Sequence, residues 1–263
     1  MANTKNIQRI VVKVGTSTLA HPTGMLNIRH VEHLVKVLSD LKNAGKEIIL
    51  VSSGSIGVGS GKLGLKQRPA DIPSKQACAA IGQCELMYVY DKLFGEYNHI
   101  VSQLLLTKYI IDGGRREVNV LNTLNALLQY NAIPIINEND TVSTEEIEFG
   151  DNDTLSAIVA KIAKADLLVL LTDIDGLYDK NPAKYPEAQL IKQVDIIDDH
   201  IREIAGGRGS SLGTGGMITK IHAAEIATEA GIPMFIINGE EPDLLYQVIE
   251  GQKVGTYFPV NHQ

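Results

Sequence analysis

Short, mostly apolar runs recur along the chain, at Ile10 to Val14, Ile48 to Val51, Ile100 to Leu106, Ile133 to Ile136, Leu167 to Leu171 and Met234 to Ile237. Each is strand-length, and a strand this apolar must be covered on both faces. The stretches between them carry a different period. Val31, Leu34, Val35, Leu38 and Leu41 fall on one helical stripe that closes at Gly45, and Leu155, Ile158, Val159 and Ile162 repeat the spacing. Parallel strands need crossover connections, and strand alternating with helix supplies them. The predicted architecture is therefore α/β: a mainly parallel central sheet sandwiched by helices, three layers in all. No linker, repeat or low-complexity segment interrupts it, so residues 1–263 are expected to form a single domain. The segment "TVSTEEIEFG", 141–150, is too short for a crossover and reads as a hairpin arm.

Composition narrows the function classes. The 24 basic against 31 acidic side chains give a net charge of -7, which argues against a general nucleic-acid binder. No apolar run approaches the roughly eighteen residues that span a bilayer. The opening "MANTKNIQRIVV" lacks the long apolar region of a secretory signal, so a cytoplasmic protein is expected. Cys78 and Cys84 fall six residues apart on one expected helix, point to different faces, and are read as packing residues. His30 and His33 lie one turn apart with no third ligand in view, which favours a solvated helix face over a metal site.

The polar signals follow the apolar runs. "GTS" at Gly15 follows the first, "SSG" at Ser52 the second, "NEND" at Asn137 the fourth and "TD" at Thr172 the fifth. Ligands of open α/β sheets bind beyond the carboxyl ends of the strands, so these four segments point to one pocket. Lys13 lies inside the first run, either as an edge lysine that discourages aggregation or as a buried cation with a charged partner. Gly15, Thr16 and Ser17 form a turn able to bring backbone N–H groups close to a phosphate.

Two further segments are rich in glycine. "SSGSIGVGSGKLG" contains a formal G-x-G-x-x-G at Gly59, Gly61 and Gly64, but a proline-bearing stretch follows where a dinucleotide fingerprint opens a helix. It reads as a loop, either a plain surface loop or a substrate-binding one beginning at Ser53 and Gly54. "GRGSSLGTGGMITK", 207–220, runs from small residues into a helix carrying Ile221 and Ala224, a ready anion site with Lys220 about one turn in. No Ser-His-Asp arrangement stands out.

Taken in order, "KVGTS", "SSG", "INEND", "GDND", "LLTDIDGLY" and "GTGGMITK" resemble the motifs of the amino acid kinase family, over essentially the whole chain. The resemblance implies ATP-dependent phosphorylation of the γ-carboxylate of L-glutamate to L-glutamyl 5-phosphate, the first step of proline biosynthesis. It implies Mg2+ carried by the nucleotide rather than by metal ligands of the protein, and a homo-oligomer, dimer or tetramer. Many such relatives carry an additional C-terminal RNA-modification-type module, and this chain reads as a short form without it. Lys13, Asp153 and Lys220 match the catalytic groups, the aspartate positioning the two lysines on the phosphates. Ser53, Gly54, Asp140 and Asn152 match the glutamate site. Lys13, Gly15, Thr172, Asp173, Thr214, Gly215, Gly216, Met217, Ile218, Thr219 and Lys220 match the nucleotide site.

Chemistry agrees. A γ-carboxylate with a reference pKa near 4.3 is already an ionised nucleophile at neutral pH, so no general base is required. Positioning and charge neutralisation are left to the protein. In this reading Asp140 takes the substrate's α-ammonium, Asn152 and backbone N–H groups receive its carboxylates, and Glu145, Glu146 and Glu148 line a solvated arm. Kinases of the same family acting on acetylglutamate or UMP, and a non-catalytic nucleotide or amino-acid sensor, are the alternatives.

Overall fold

The computed structural model describes residues 7–107, 114–142, 152–206 and 216–260. Most of the expected arm, with Glu145, Glu146 and Glu148, lies outside the described residues, as do Thr214 and Gly215.

In chain order the elements are β1 (Arg9–Val14), α1 (Thr16–Leu19), α2 (Ile28–Asn43), β2 (Glu47–Ser52), α3 (Ser55–Lys62), α4 (Ile72–Gly95), β3 (Val101–Leu106) and α5 (Arg115–Gln129). Then follow β4 (Ile133–Glu138), α6 (Asn152–Ala163), β5 (Leu167–Thr172), α7 (Asp199–Gly206), α8 (Met217–Glu229), β6 (Met234–Asn238), α9 (Leu244–Ile249) and β7 (Thr256–Phe258). The strands form one sheet in the order β3-β4-β2-β1-β5-β6-β7. The pairings are parallel except β6 with β7, which is antiparallel. Each of the six apolar runs is a strand. β7 was not foreseen; three residues long, it is too short to carry a period of its own.

Alternation along β1 divides the core in two. Val11 joins Leu124, Leu155, Ile158 and Ile221 on the face covered by α5, α6 and α8. Ile10, Val12 and Val14 join Leu34, Leu38, Leu86, Phe94 and Val248 on the face covered by α2, α4 and α9. Every side chain of β5 is buried, and burying one such aliphatic side chain contributes about 1.5–3 kcal/mol. This is the three-layer arrangement the apolar runs require. No described helix is long and apolar enough to cross a membrane.

The structure changes three local readings. "SIGVGSGK" is helix α3 rather than a loop, and its glycines are there for packing. A Cβ on Gly59 would meet the Cys78 carbonyl oxygen at 1.9 Å, and one on Gly82 would meet the Ser55 carbonyl oxygen at 1.8 Å. Helices α3 and α4 thus touch backbone to backbone, which compensates the roughly 1 kcal/mol that each helical glycine costs relative to alanine. The histidine pair is not a solvated face: His30 is buried and burial lowers its pKa, while only His33 reaches outward, to Asp243 at 3.1 Å. Of the two cysteines, Cys78 packs inside and Cys84 is exposed.

Candidate active site

Because β1, β2, β4 and β5 run parallel, their carboxyl ends lie along one edge of the sheet, and the chain leaves each of them into a short polar turn. β1 sits at the centre of the sheet between β2 and β5, where the order of connection reverses, and Lys13 is in β1. The edge-strand reading of this lysine is thereby excluded. A cleft of about 860 Å³ opens at that point. Lys13, Gly15, Ser53, Gly54, Asp140, Asn152, Asp153, Thr172, Asp173 and Lys220 all line it.

Asp153 is the electrostatic centre. Its Oδ1 is 2.7 Å from the Lys13 ammonium and its Oδ2 is 2.9 Å from that of Lys220. The Thr219 hydroxyl also donates to Oδ2, at 2.8 Å. The carboxylate side chain is 1% exposed and each lysine 8%. Burial alone would raise its pKa, but the two ammonium groups and their hydrogen bonds prevail and hold it down at about 2. One carboxylate is thus shared between two ammonium groups at the base of the cleft.

The local fold explains why these groups meet. Asp153 is in the first turn of α6, Lys13 is near the end of β1, and Lys220 is one turn into α8. Helix α8 begins at Gly216 and α3 at Gly54, and neither glycine has a side chain to cap the first N–H groups. Asn27 and Asp71 do supply such caps to α2 and α4. The start of α3, at Gly54 to Gly57, lines the cleft and turns the positive end of its helix dipole toward an anion there, whereas of the described α8 residues Lys220 alone lines it. Gly54 has φ +96°, which lets the chain turn sharply from β2 into α3.

On the other flank the Ser55 hydroxyl donates to Asp140 Oδ2 at 2.7 Å, joining the start of α3 to the loop after β4. The Asn152 amide donates to the Ser52 carbonyl at 2.9 Å, the Ser53 hydroxyl at 2.8 Å and Asn137 Oδ1 at 3.0 Å. Its hydrogens are therefore spent tying the ends of β2 and β4 together, and the expected donation from this amide to a substrate carboxylate does not fit the geometry. Asn137 Nδ2 donates in turn to Gln83 Oε1 of α4 at 2.8 Å. The Thr172 hydroxyl closes its own loop through Ile174. Of the remaining expected residues, Met217 packs against the core, Ile218 is 45% exposed, and Gly216 with Thr219 forms the first turn of α8.

Several cleft residues escaped the sequence reading, among them Ser55, His21, Lys66 and Arg68. Ser55 opens a helix whose glycines read locally as a loop. The three others sit in segments without apolar period, where nothing local marks a side chain as facing a cleft.

An open parallel sheet whose switch point carries a lysine–aspartate–lysine cluster and uncapped helix starts defines a protein that handles phosphoryl groups. The chain belongs to the amino acid kinase family, whose sequence pattern matches residues 8–238. It is 56% identical over 253 residues to the glutamate 5-kinase of Clostridium acetobutylicum, covering 96% of this chain and 95% of that protein. It is 52% identical over 258 residues to the glutamate 5-kinase of Listeria monocytogenes serotype 4b, covering 97% and 94%. Among solved structures it shares its fold with the UMP kinase of Bacillus anthracis, at a TM-score of 0.65 and 16% identity over 97% of each chain. The isopentenyl phosphate kinase of T. acidophilum superposes with a TM-score of 0.63 at 18% identity, over 95% of this chain and 100% of that one.

Proposed function

We propose that the chain transfers the γ-phosphoryl group of ATP to the γ-carboxylate of L-glutamate, giving L-glutamyl 5-phosphate and ADP, the first step of proline biosynthesis. The observation that carries this reading is the pair of buried ammonium groups held on one carboxylate, 2.7 and 2.9 Å away, at the mouth of the parallel sheet. Near-full-length similarity to glutamate 5-kinases supports the choice of acceptor.

A γ-carboxylate oxygen attacks the γ-phosphorus, the bond to the β,γ-bridging oxygen breaks, and its electron pair leaves with ADP. Two anions must approach, and negative charge grows on the bridging oxygen as they react. Lys13 and Lys220 neutralise both, and Asp153 keeps each ammonium fixed before the reactants arrive, so little reorganisation is needed in the transition state. With its pKa at about 2, Asp153 stays ionised throughout the neutral range. Asp140, held by Ser55, takes the substrate's α-ammonium. The amides at the start of α3, after Ser53 and Gly54, receive carboxylate, and Asn152 fixes Ser53 in place.

The nucleotide occupies the side of Gly15, Thr172, Asp173 and Lys220, next to the start of α8 at Gly216 to Thr219. The two ammonium groups at the base of the cleft and the start of α3 suit a triphosphate. Mg2+ enters with the nucleotide and supplies further charge neutralisation when bound. Among the described residues no three His, Cys, Asp or Glu side chains converge to hold an ion. The chain is proposed to act in the cytoplasm as a homo-oligomer, dimer or tetramer, on the strength of its family membership, and light scattering tests the assembly.

ADP release measured with glutamate, acetylglutamate, aspartate and UMP tests the acceptor. Glutamate is expected to give the highest kcat/KM and, with hydroxylamine present, a hydroxamate. Preference for another acceptor, or nucleotide binding without turnover, would overturn the proposal.

A further inference from the structure

Residues 63–71, between α3 and α4, carry the chain back alongside α3 and bring Arg68 level with the first turn of that helix. Pro69 holds the residue before it to extended backbone. Asp71 anchors the far end by capping α4, its side chain accepting from the Ser74 N–H at 2.9 Å. A Cβ on Gly57 would meet Arg68 Nη2 at 2.9 Å, so the guanidinium fills the space that a side chain at 57 would take. The Thr16 methyl packs on the same spot, 3.5 Å from that Cβ position, and Thr16, Gly57 and Arg68 all line the cleft. Among the described residues no carboxylate stands within ion-pair distance of Arg68. A guanidinium seated in a cleft with no acid beside it is a cation left for a ligand.

Asp140 marks the same turn with the opposite charge. It is buried, and its Oδ2 accepts at 2.7 Å from the hydroxyl of Ser55, two residues before Gly57. A carboxylate and a guanidinium on one turn of α3 suit a ligand that carries both charges on one carbon, as the head of an α-amino acid does. Once the γ-carboxylate is directed at Lys13 and Lys220, the α-carboxylate is the one left for this turn. A guanidinium offers paired N–H donors to both oxygens of a carboxylate, which an ammonium cannot. Lys66 also lines the cleft, but it is Arg68 whose charged end rests on α3.

We propose that Arg68 is a specificity-determining residue for the acceptor: its guanidinium binds the α-carboxylate, together with the amides at the start of α3, while Asp140 takes the α-ammonium. Acylated glutamates lack the ammonium and are rejected at Asp140. Amino acids without an α-carboxylate are rejected at Arg68. The nucleotide side does not share this contact, so its loss is felt in the KM of the acceptor and not in that of ATP. This rests on glutamate being the acceptor.

The test pairs a change in the protein with the matching change in the substrate. L-Glutamate is compared with its α-amide, which keeps the γ-carboxylate and the α-ammonium but carries no charge where Arg68 binds. Hydroxamate formation is followed at varied acceptor and varied MgATP, and the Ki of the α-amide against glutamate replaces its KM where it is not turned over. Arg68 is exposed, so Arg68→Met is expected to keep the fold. The expected result is a glutamate KM raised about 10-fold in Arg68→Met, the low end for a bond between charged groups because the cleft is open to solvent. The constant for the α-amide and the ATP KM are expected to stay within about 2-fold, as is every constant in Lys66→Met. An unchanged glutamate KM in Arg68→Met, an equal loss for the α-amide, a matching rise in the ATP KM, or an equal effect from Lys66→Met would overturn the assignment. Absence of hydroxamate from the wild-type chain with glutamate would instead strike the choice of acceptor, which separates the two failures.

Discussion

Asp153 does two things with one carboxylate: it stabilises two buried ammonium groups and it aims them. Replacing Lys220 with alanine removes a charge from one side of the transferring phosphoryl group while Lys13 still pairs with Asp153. The expected result is kcat lower by about 100- to 1,000-fold with the far-UV circular dichroism retained. Near-wild-type turnover would take Lys220 out of the mechanism. Asp153→Asn is the harsher change, since it leaves two ammonium groups around a neutral amide. Breaking a buried pair this way costs about 3 kcal/mol, at the low end of the usual range because the lysines border an open cleft.

That difference depends on pH in a defined sense. The folded-state pKa of Asp153 is depressed, about 2 against an ordinary 3.8, so its stabilisation is complete above the ordinary value and fades as pH falls through the folded one. The stability gap between wild type and Asp153→Asn, read from urea melts, is expected to shrink by roughly 2 kcal/mol between about pH 5 and pH 2. A gap constant over that window would mean the carboxylate is not held by the lysines. At this scale the sequence was informative where a residue type was out of place. A lysine inside an apolar strand needs a partner, and Lys13 has one. Relations between ordinary polar residues were not legible: nothing local to Gln83 or Ser55 says that they meet Asn137 and Asp140.

The elements were legible in proportion to their period. Six apolar runs became six strands because double-sided burial leaves a continuous signature that needs no tertiary context. Helix α3 is not legible because three of its eight residues are glycines, which local propensity assigns to loops, whereas contact with α4 overrides propensity there. The α3–α4 crossing can be tested by paired substitutions. Gly59→Ala drives a methyl into the Cys78 carbonyl and is expected to destabilise by at least about 2 kcal/mol and to raise the KM for glutamate, since α3 also carries Ser55. Gly95→Ala, at the end of α4 with no atom within 4 Å of its added Cβ, is expected to be neutral or to stabilise by about 0.5 kcal/mol. Equal effects from the two would mean that the helices do not touch as described.

At the level of the whole molecule, the pattern of runs predicted a parallel sheet but not the order β3-β4-β2-β1-β5-β6-β7. Strands of similar apolarity are interchangeable to a local reading, and their order is settled by which pairs of faces bury best together. That order places β1 centrally and puts the cleft at the reversal between β1 and β5, where groups from β1, α6 and α8 converge. The site is thus a property of the topology as much as of its residues.

The direct measurement is the fate of oxygen. Glutamate labelled with 18O in the γ-carboxylate is incubated with the enzyme, MgATP and hydroxylamine, and the released inorganic phosphate is weighed by mass spectrometry. If a γ-carboxylate oxygen attacks phosphorus in this cleft, hydroxylaminolysis of the acyl phosphate expels phosphate carrying one 18O atom. Phosphate free of label would contradict the account.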